Sequence, residues 1–495
     1  MNIAHAIALQ AAQQAEAVAI YTSSDSVTWA GLDRAVHSIT NQLFSAGIGS
    51  GTVVALSLRD ERLAVAAMLA VARLGTTSVS LPVTEVAPVK SQIVARTQAT
   101  VLLRDGEVEG VSGLFASELV LSTDALYAAS SAAPASSPCD MDPQAPCFLV
   151  VGSGTTGTPK LIPISHEIFR LRAEVLFETL AMTAADRLAT VSRIDFWVSK
   201  LGCLTALSHG VPIVLANRQA DFIEQCRRLG VTILFLSAIH LEQMLKQLTR
   251  KHERPLDFLR VVSAGGAMVT ESLRRRTLKH LASCLHIPYG TNDFGLITMA
   301  KPDDIRAVPG TVGPAVKFVE IEIRDRQNQV LPAGTTGEIW LRSKAMITAY
   351  HNDPEATARD FNEGWFKPGD LGALSPSGQL IHYGRSDQMM VMNGVNIAPA
   401  EIENCLCAHP AVADASAFPL HHPVHQHIPV CAVELHEGAT ASQEELSDFA
   451  AVNLGSHSPS RVIILSEIPR NEMGKVRRGE LARQVAKVLG IPFQS

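Results

Sequence analysis

Short apolar runs alternate with helical patterns in the first quarter of the chain. Residues 53–58 form an apolar run that predicts a strand, residues 62–73 predict a helix that ends before Gly75, and residues 79–81 predict another strand. This order is typical of βαβ units, in which helices cover the faces of a parallel sheet. Residues 28–125 are therefore predicted to contain parallel sheet and helices.

The pattern changes farther along the chain. Residues 128–146 are rich in Ala, Ser and Pro and predict a linker. Apolar runs at 213–215, 233–236 and 261–263 continue the α/β alternation. From residue 310 onwards, short strands such as 319–323 and 338–341 lie between Gly/Pro turns, and the C-terminal part is again mixed. We expect an α/β fold with a large N-terminal domain of mixed parallel sheets and helices, followed by a small C-terminal α+β domain.

Composition and charge narrow the class of protein. At 495 residues the chain is too long for one ordinary core, and 47% hydrophobic with 18% charged residues indicates a globular protein. A net charge of −6 gives no electrostatic footprint for nucleic acid, and Arg274, Arg275 and Arg276 are interpreted as a solvated helix face. No apolar run approaches the roughly 18–20 residues that span a bilayer. The N-terminus lacks the basic start of a secretion signal, so a cytoplasmic protein is expected.

Cysteines and histidines give no strong metal signal. The eight cysteines have no disulfide or zinc spacing, which favours reduced thiols. A candidate metal cluster consists of His421, His422, His425 and His427. Pro423 and Pro429 instead favour an ordinary loop there.

Residues 152–160, Gly-Ser-Gly-Thr-Thr-Gly-Thr-Pro-Lys, are the most informative segment. They follow an apolar run at 148–151 that predicts a buried strand. The glycines let backbone N–H groups approach a ligand, while the hydroxyls and Lys160 add donors and a positive charge. This combination favours a polyphosphate site; a Gly/Thr-rich surface turn is the alternative.

A Walker-type loop does not fit this segment. Gly152 and Gly157 have its first spacing, but Thr158 and Pro159 separate Gly157 from Lys160. The segment instead closely resembles the phosphate loop of the adenylate-forming superfamily, which includes acyl-CoA synthetases, the adenylation domains of non-ribosomal peptide synthetases and beetle luciferases. The resemblance implies that ATP is held by Ser153, Gly154, Thr155, Thr156, Gly157, Thr158 and Lys160, with Thr156 also at the magnesium ion.

A second segment, 289–293, resembles the superfamily's Tyr-Gly-x-Thr-Glu element. The resemblance implies that Tyr289, Gly290, Thr291 and Asn292 line the ATP site and that Asp293 binds Mg²⁺, a role suited to a carboxylate. Asn292 replaces the usual threonine, and Asp293 is one methylene shorter than the usual glutamate. A purely structural Tyr-Gly turn remains open.

Residues 263–267, Ser-Ala-Gly-Gly-Ala, predict a tight strand-to-helix turn. In the superfamily the same turn lines the adenine and acyl sites. The resemblance therefore implies that Gly265 and Gly266 contact ATP, and that Ala264 and Gly265 line the substrate pocket. A turn without a role in binding is the alternative.

Residues 364–372 resemble the superfamily's Trp-Phe-x-Thr-Gly-Asp-x-Gly element. A carboxylate can accept both hydroxyl hydrogens of a ribose, which is the role the resemblance gives Asp370. Pro368 replaces the usual threonine. Arg385 begins the next matching block and is implied to contact ribose as well.

By the same resemblance, Asp387 is the hinge between the two domains and Gly394 lies at the tunnel for the pantetheine thiol. Val391 stands where the superfamily usually has lysine. We predict a large adenylation domain at 1–384, a hinge at 385–389 and a small mobile domain at 390–495.

Residues 470–478 contain the segment Asn471-Glu-Met-Gly-Lys475, which matches the superfamily's catalytic lysine loop. The resemblance implies that Lys475 bridges the substrate carboxylate and the α-phosphate. The chemical requirement is clear, because two anions must approach each other and a positive charge stabilises their transition state. Lys475 is the predicted catalytic residue.

The segment Phe196-Trp197-Val198-Ser199 aligns with the Phe-Asp-x-Ser segment of the amino-acid-activating branch. There the aspartate pairs with the substrate's α-ammonium, and Trp197 cannot replace that charge. An unpaired ammonium would be costly, so we predict an acid without an α-amino group, with Trp197 in its pocket. Packing of Trp197 in the core, or a register shift that brings in Asp195, remains open.

The predicted function is ATP- and Mg²⁺-dependent ligation of a carboxylic acid to a thiol through an acyl-adenylate. The acceptor is most simply CoA; the alternative is the phosphopantetheine of a separate carrier protein. A non-catalytic protein that binds nucleotide or acyl-adenylate is a third reading, motivated by Asn292, Pro368 and Val391 and opposed by the retained Lys475. No nucleic acid and no membrane span are expected.

Overall fold

The computed structural model describes residues 2–111, 113–126, 142–152, 160–218, 221–248, 254–392, 395–422, 426–470 and 476–489. The α-helices in these ranges are α1 Ile3–Gln13, α2 Trp29–Ser45, α3 Glu61–Arg73, α4 Ala87–Thr97, α5 His166–Thr179, α6 Trp197–Ser208, α7 Phe222–Arg228, α8 Ala238–Gln247, α9 Glu271–His280, α10 Pro302–Ala307, α11 Pro354–Asp360, α12 Pro399–Leu406, α13 Gln443–Leu454 and α14 Arg478–Leu489.

The strands in the same ranges are β1 Val18–Thr22, β2 Ser26–Thr28, β3 Val53–Ser57, β4 Thr77–Ser80, β5 Val101–Arg104, β6 Ser117–Val120, β7 Pro146–Gly152, β8 Lys160–Ser165, β9 Leu188–Thr190, β10 Ile213–Leu215, β11 Ile233–Ser237, β12 Val261–Gly265, β13 Leu285–Thr291, β14 Gly295–Ala300, β15 Thr311–Pro314, β16 Glu320–Arg324, β17 Gly337–Arg342, β18 Phe361–Asn362, β19 Trp365–Phe366, β20 Asp370–Leu374, β21 Gln379–Arg385, β22 Met390–Met392, β23 Val395–Ile397, β24 Val412–His422, β25 Gln426–Leu435 and β26 Arg461–Ile464.

Two largely parallel sheets form the first half of the fold. One has the order β6-β5-β3-β4-β7-β8, and the other has the order β14-β13-β12-β11-β9-β10-β1-β2. The predicted βαβ unit is confirmed: β3 and β4 are parallel and are joined by α3, whose N-cap Asp60 accepts hydrogen bonds from the N–H groups of Arg62 and Leu63. Apolar residues of α3 and of β7 belong to one large core cluster.

The second half of the fold is built mainly from antiparallel strands, and β26 alone among the pairs described there joins its neighbour β25 in parallel. A seven-stranded sheet follows the order β15-β21-β20-β17-β19-β18, with β16 paired to β17. A five-stranded sheet has the order β23-β22-β25-β24, with β26 paired to β25. The core of this last sheet is a separate cluster that runs from Met390 to Val462. This separation supports the predicted small C-terminal domain, whose boundaries stay a prediction.

The structure revises three details of the sequence interpretation. The predicted linker ends earlier than expected, because Pro146 already lies in β7. The interpretation of a solvated arginine face is wrong for Arg274, which is 4% exposed and donates hydrogen bonds to the carbonyls of Val269 and Thr311. Pro429 lies in a strand opposite Pro419 rather than in a loop.

The histidine segment therefore forms part of a hairpin. The backbone register places His421 opposite His427, and His425 lies outside the described residues. Within the described part of the chain, no group of three or more His, Cys, Asp or Glu side chains is arranged to hold a metal ion. None of the helices described is both long and apolar enough to cross a membrane.

Candidate active site

The turn after β12 lies directly against the start of the next predicted motif. A β-carbon on Gly265 would lie 2.7 Å from Cγ of Pro288, and Gly266 has a φ of +81°, a conformation that favours glycine. Ala264 is fully buried. The structure thus brings the 264–266 turn beside Tyr289, as the two motifs require.

Tyr289 and Asp293 are held by the β13–β14 hairpin. Gly290 lies opposite Leu296, and a β-carbon on Gly290 would come within 2.4 Å of the Gly295 carbonyl oxygen. Only glycine fits this close approach of two backbones. Thr291 closes the turn by accepting a hydrogen bond from the Phe294 N–H at 3.2 Å.

The ribose cluster, defined here as Tyr289, Asp370, His382 and Arg385, joins three predicted residues to one that sequence analysis missed. Asp370 begins β20 and Arg385 ends β21, and they are direct register partners. The Tyr289 hydroxyl donates to Oδ2 of Asp370 at 2.5 Å, and Nη1 of Arg385 lies 3.4 Å from Oδ1. Nε2 of His382 lies 3.5 Å from Oδ2.

Burial, hydrogen bonds and nearby charges together set the protonation states of Asp370 and Tyr289. Asp370 is only 5% exposed. Burial by itself raises its pKa, but the nearby His382 imidazole, the hydrogen bond from Tyr289 and the charge of Arg385 outweigh burial and hold the pKa below its ordinary value. Burial and the Asp370 charge raise the pKa of Tyr289. Asp370 is therefore an ionised acceptor, and Tyr289 remains a neutral donor.

Arg385 also fixes the chain around Asp370 and the predicted hinge. It donates to the carbonyl of Pro368 and lies 3.3 Å from a carboxylate oxygen of Asp387. The backbone N–H of Ser386 donates to the Gly369 carbonyl at 2.8 Å. A proline at position 368 lacks a side-chain hydroxyl but keeps the carbonyl that Arg385 needs.

The metal-loop cluster, defined here as Lys160, Asp293, Tyr350 and Asp360, lies around the predicted magnesium ligand. The Tyr350 hydroxyl donates to Oδ2 of Asp360 at 2.9 Å and accepts from Nζ of Lys160 at 3.2 Å. Lys160 also forms an ion pair with Asp360. The Tyr350 hydroxyl interacts with the Asp293 carboxylate, and burial and the two carboxylates raise the pKa of Tyr350.

The Asp293 carboxylate fits a magnesium ion. Its Oδ1 atom is buried, and no group among the described residues forms a hydrogen bond with it. A buried carboxylate oxygen without a partner is costly, and a hard divalent cation is a chemically suitable partner. The donor set thus agrees with the role that the sequence motif implied.

Trp197 begins α6 and is 7% exposed. Its ring lies 5.9 Å from the ring of Phe148, centroid to centroid, and the Arg172 guanidinium carbon lies 6.0 Å from its centroid. Asp195, the alternative partner for an ammonium, already accepts a hydrogen bond from Nε of Arg193 at 2.9 Å. Burial raises the pKa of Asp195, although Arg193 opposes the shift.

The comparisons with known proteins decide the family. The model of the AMP-binding enzyme family matches residues 7–351, and the model of the AMP-binding enzyme C-terminal domain matches residues 401–475. The chain belongs to the AMP-binding enzyme family. The adenylate-forming superfamily predicted from the motifs is thereby confirmed.

Relatives of this AMP-binding enzyme include aryl-acid ligases. Indoleacetate–CoA ligase of Aromatoleum aromaticum is 30% identical over 70% of this chain and 68% of its own length. The 4-chlorobenzoate–CoA ligase of an Arthrobacter species is 28% identical over 96% of this chain and 94% of its own length. These names describe the relatives.

Solved structures confirm the fold. ATP-bound MatB from Rhodopseudomonas palustris has a TM-score of 0.89 at 23% identity, covering 99% of this chain and 100% of its own. The amide bond synthetase McbA from Marinactinospora thermotolerans has a TM-score of 0.87 at 25% identity, covering 97% and 99%.

Several predicted site residues of this AMP-binding enzyme lie outside the described residues: Ser153, Gly154, Thr155, Thr156, Gly157, Thr158, Gly394 and Lys475. The strands on either side of the phosphate loop are described, and β7 pairs with β8 through Gly152 and Lys160. The described residues Gly152 and Lys160 are thus register partners at the end of an antiparallel pair, and Lys160 belongs to the metal-loop cluster.

A groove of about 960 Å³ lies between α7 and α8. Its lining includes Arg218, Phe222, Arg227, His240, Met244 and Gln247. His240 interacts with Ser237, which ends β11 opposite Gly265. The groove therefore opens near the same edge of the sheet as the 264–266 turn, and no sequence motif predicted it.

Proposed function

We propose that this AMP-binding enzyme joins a carboxylic acid to the thiol of CoA at the expense of ATP, by way of an acyl-adenylate. The observation that carries the proposal is the position of the buried Asp370, which accepts from Tyr289 beside Arg385. This arrangement presents an anionic acceptor and a cation at the place the family motifs assign to the ribose. The CoA ligases among the relatives support the choice of reaction.

In the first half-reaction, we assign the ribose hydroxyls to Asp370 and Arg385, and the triphosphate to the 153–160 loop. When bound at Asp293, Mg²⁺ supplies charge neutralisation for phosphate oxygens. A carboxylate oxygen of the acid attacks the α-phosphorus, the bond to the bridging β-phosphate oxygen breaks, and pyrophosphate leaves. Lys475 neutralises the two approaching anions, a contribution of about 3–4 kcal/mol, or about 10²–10³ in rate.

In the second half-reaction, the thiol sulfur attacks the acyl carbon of the adenylate. The bond from that carbon to the phosphate oxygen breaks, AMP leaves, and the thiol proton goes to solvent. We assign the two half-reactions to two positions of a small domain, residues 390–495, that moves about Asp387 in the hinge 385–389. One position carries Lys475 to the site and the other carries Gly394.

We further propose that the acid has no α-amino group and that Trp197 lines its pocket. The indole carries no negative charge to offset an ammonium, and the nearby Asp195 carboxylate already accepts a hydrogen bond from Arg193. A substrate ammonium would therefore be buried without a counter-charge. The two relatives, indoleacetate–CoA ligase and 4-chlorobenzoate–CoA ligase, act on aromatic acids and support the same class.

The first experiment is carboxylate-dependent ATP–pyrophosphate exchange with aryl, aliphatic and amino acids. Exchange with an acid lacking an α-amine is expected. Exchange only with amino acids would contradict the role of Trp197 but would still support adenylation. No exchange with any acid, while ATP still binds, would favour a nucleotide-binding protein without catalysis.

The acceptor is tested next with the best acid. Saturable thioester formation with CoA is expected; turnover only with a phosphopantetheinylated carrier protein would move the enzyme to the carrier-loading class. Lys475→Ala should abolish most exchange, and Lys487→Ala, an exposed lysine in the same predicted domain, serves as the matched control. Unchanged ATP turnover in Lys475→Ala would contradict the mechanism.

A further inference from the structure

Arg172 is a buried arginine that no sequence motif singled out. It lies on α5, the helix that follows the phosphate-loop strand β8, and it is 2% exposed. Ser165 caps the helix by accepting from the Ile168 N–H at 3.1 Å, so the position of α5 is fixed directly after β8. Phe169 and Leu176 are buried on the same helix, one turn to either side.

The guanidinium of Arg172 holds three backbone carbonyls. Nη1 donates to the Asn292 carbonyl at 2.8 Å, and Nη2 donates to the Asp293 carbonyl at 2.7 Å. Nε donates to the Ala345 carbonyl at 2.9 Å. The planar fork of arginine suits such a three-way contact, and lysine cannot reproduce it.

The surrounding backbone is shaped for this contact. Gly295 has a φ of +97°, and a β-carbon there would lie only 3.1–3.3 Å from the Arg172 side chain. The Asp293 carbonyl also accepts from the Ile347 N–H at 3.1 Å. The loop of Asn292 and Asp293 is thus fastened to the 345–347 segment, with Arg172 as the bridge between them.

Arg172 keeps its charge while buried. Burial lowers its pKa to about 9, and the Asp293 carboxylate opposes that shift. At neutral pH the guanidinium is therefore protonated. Burying a cation costs free energy. Two of the three donor atoms of Arg172 bind the loop of Asn292 and Asp293, which indicates that the position of this loop matters.

We propose that Arg172 is a positioning residue for metal binding: it fixes the main chain of residues 292–293 so that the Asp293 carboxylate faces the magnesium ion. The inference rests on the proposed function, because that function assigns the ion to Asp293. Arg172 itself touches neither the ion nor the nucleotide. It acts as outer support for a ligand, and loss of such support typically lowers metal affinity about 10–100-fold.

Arg274 supplies a matched control. It is also a buried arginine, and it donates to the carbonyls of Val269 and Thr311 rather than to the metal loop. Arg172→Gln and Arg274→Gln should both lower the stability of the enzyme. Only Arg172→Gln should affect the metal site. Arg172→Lys, which keeps the charge but loses the fork, gives a second and milder variant.

The test measures Mn²⁺ binding to the full-length enzyme with the α,β-methylene analogue of ATP, which lacks the bond broken in the first half-reaction, by electron paramagnetic resonance. Arg172→Gln is expected to raise the Kd of Mn²⁺ about tenfold or more, Arg172→Lys by less, and Arg274→Gln to leave it unchanged. Without nucleotide or metal, hydrogen exchange should accelerate in the peptides around 292–295 and 347 only in the Arg172 variants.

Two outcomes would overturn the inference. One is a normal Mn²⁺ affinity in folded Arg172→Lys and Arg172→Gln; the other is an equal loss in Arg172→Gln and Arg274→Gln. Failure of the proposed function is distinguished by the wild-type enzyme, which would then neither bind Mn²⁺ with the analogue nor catalyse pyrophosphate exchange.

Discussion

The ribose cluster and the metal-loop cluster both hold a buried carboxylate, but they are assembled differently. Asp370 and Arg385 are register partners in one hairpin, so local strand pairing brings the ion pair together. In the metal-loop cluster, the partners of Lys160 are Tyr350 and Asp360, which are 190 and 200 positions away along the chain. The Asp370–Arg385 pair follows from secondary structure, and Tyr289 joins it from a separate hairpin. The metal-loop cluster depends throughout on packing between distant elements.

The difference has a consequence for stability. An ion pair within one hairpin, such as Asp370–Arg385, can be lost while the backbone stays in place. The metal-loop cluster links β8, α11 and the segments around Asp293 and Tyr350. Loss of its interactions should therefore lower the free energy of unfolding. Variants of Asp370 should therefore mainly change nucleotide binding. Variants of Asp360 and Tyr350, to which no contact with ATP or the metal ion is assigned, should mainly change stability.

The largest effect is expected for Asp370→Asn. The substitution keeps the size of the side chain but removes the charge that Tyr289 and Arg385 face. Hydrogen bonds to a charged group contribute about 1.5–3 kcal/mol, so the KM for ATP should rise by about 10–150-fold in the exchange assay. Asp303→Asn, at a fully exposed carboxylate of the same half of the chain, should change nothing. An unaltered KM in Asp370→Asn would argue against the ribose assignment.

A smaller effect, and one on stability, is expected for Asp360→Asn. Lys160 would lose its partly buried carboxylate partner, at a cost of about 2 kcal/mol in the free energy of unfolding measured with urea. Arg359→Gln removes only the half-exposed partner of the same carboxylate and should cost less than about 1 kcal/mol. Equal decreases in the free energy of unfolding of the two variants would mean that the Lys160–Asp360 pair contributes no more to stability than the Arg359–Asp360 pair.

Tyr350→Phe should cost about 1 kcal/mol of stability, because it removes only the hydroxyl between Lys160 and Asp360. Tyr21→Phe is the control. The Tyr21 ring packs under Arg187, and its hydroxyl forms no hydrogen bond with the residues that the structure describes. Thermal unfolding of both variants measures the difference. A Tyr350→Phe variant as stable as the wild type would show that the hydroxyl does not join the cluster.

The smallest effect concerns acid stability. Asp360 and Asp370 each have a pKa below the ordinary value of 3.8, because hydrogen bonds and nearby cations outweigh burial. A depressed pKa contributes stability above the unfolded-state pKa, and that contribution is lost as the pH falls through the folded-state pKa. The free energy of unfolding should therefore fall more steeply from pH 5 to pH 3 in the wild type than in Asp360→Asn or Asp370→Asn. Parallel curves of the free energy of unfolding against pH would show that neither carboxylate contributes to the acid response.

Sequence patterns predicted much of this protein. Apolar runs predicted the parallel sheets of the first part of the chain, because burial on both faces of a sheet leaves a continuous apolar signal. Turn residues predicted short strands after residue 310, and only the structure showed how these strands pair. The glycine at position 290 and the residues Tyr289, Asp370 and Arg385 were found from motifs alone. Motifs identify these residues because each motif keeps its chemistry within a few consecutive positions, and packing of the β13–β14 hairpin against β20 and β21 brings Tyr289 to Asp370 and Arg385.

The tertiary structure alone decided the rest. His382, Tyr350, Asp360 and Arg172 carry no local signal, because each acts through a partner that is distant in sequence or across a strand pair. The same limit explains the error at Arg274: a run of three arginines predicts a solvated face, while packing against Val269 and Thr311 buries one of them. Short motifs predict the chemistry of neighbouring residues. The contact between a buried charge and a particular carbonyl group forms only when the sheets and helices pack.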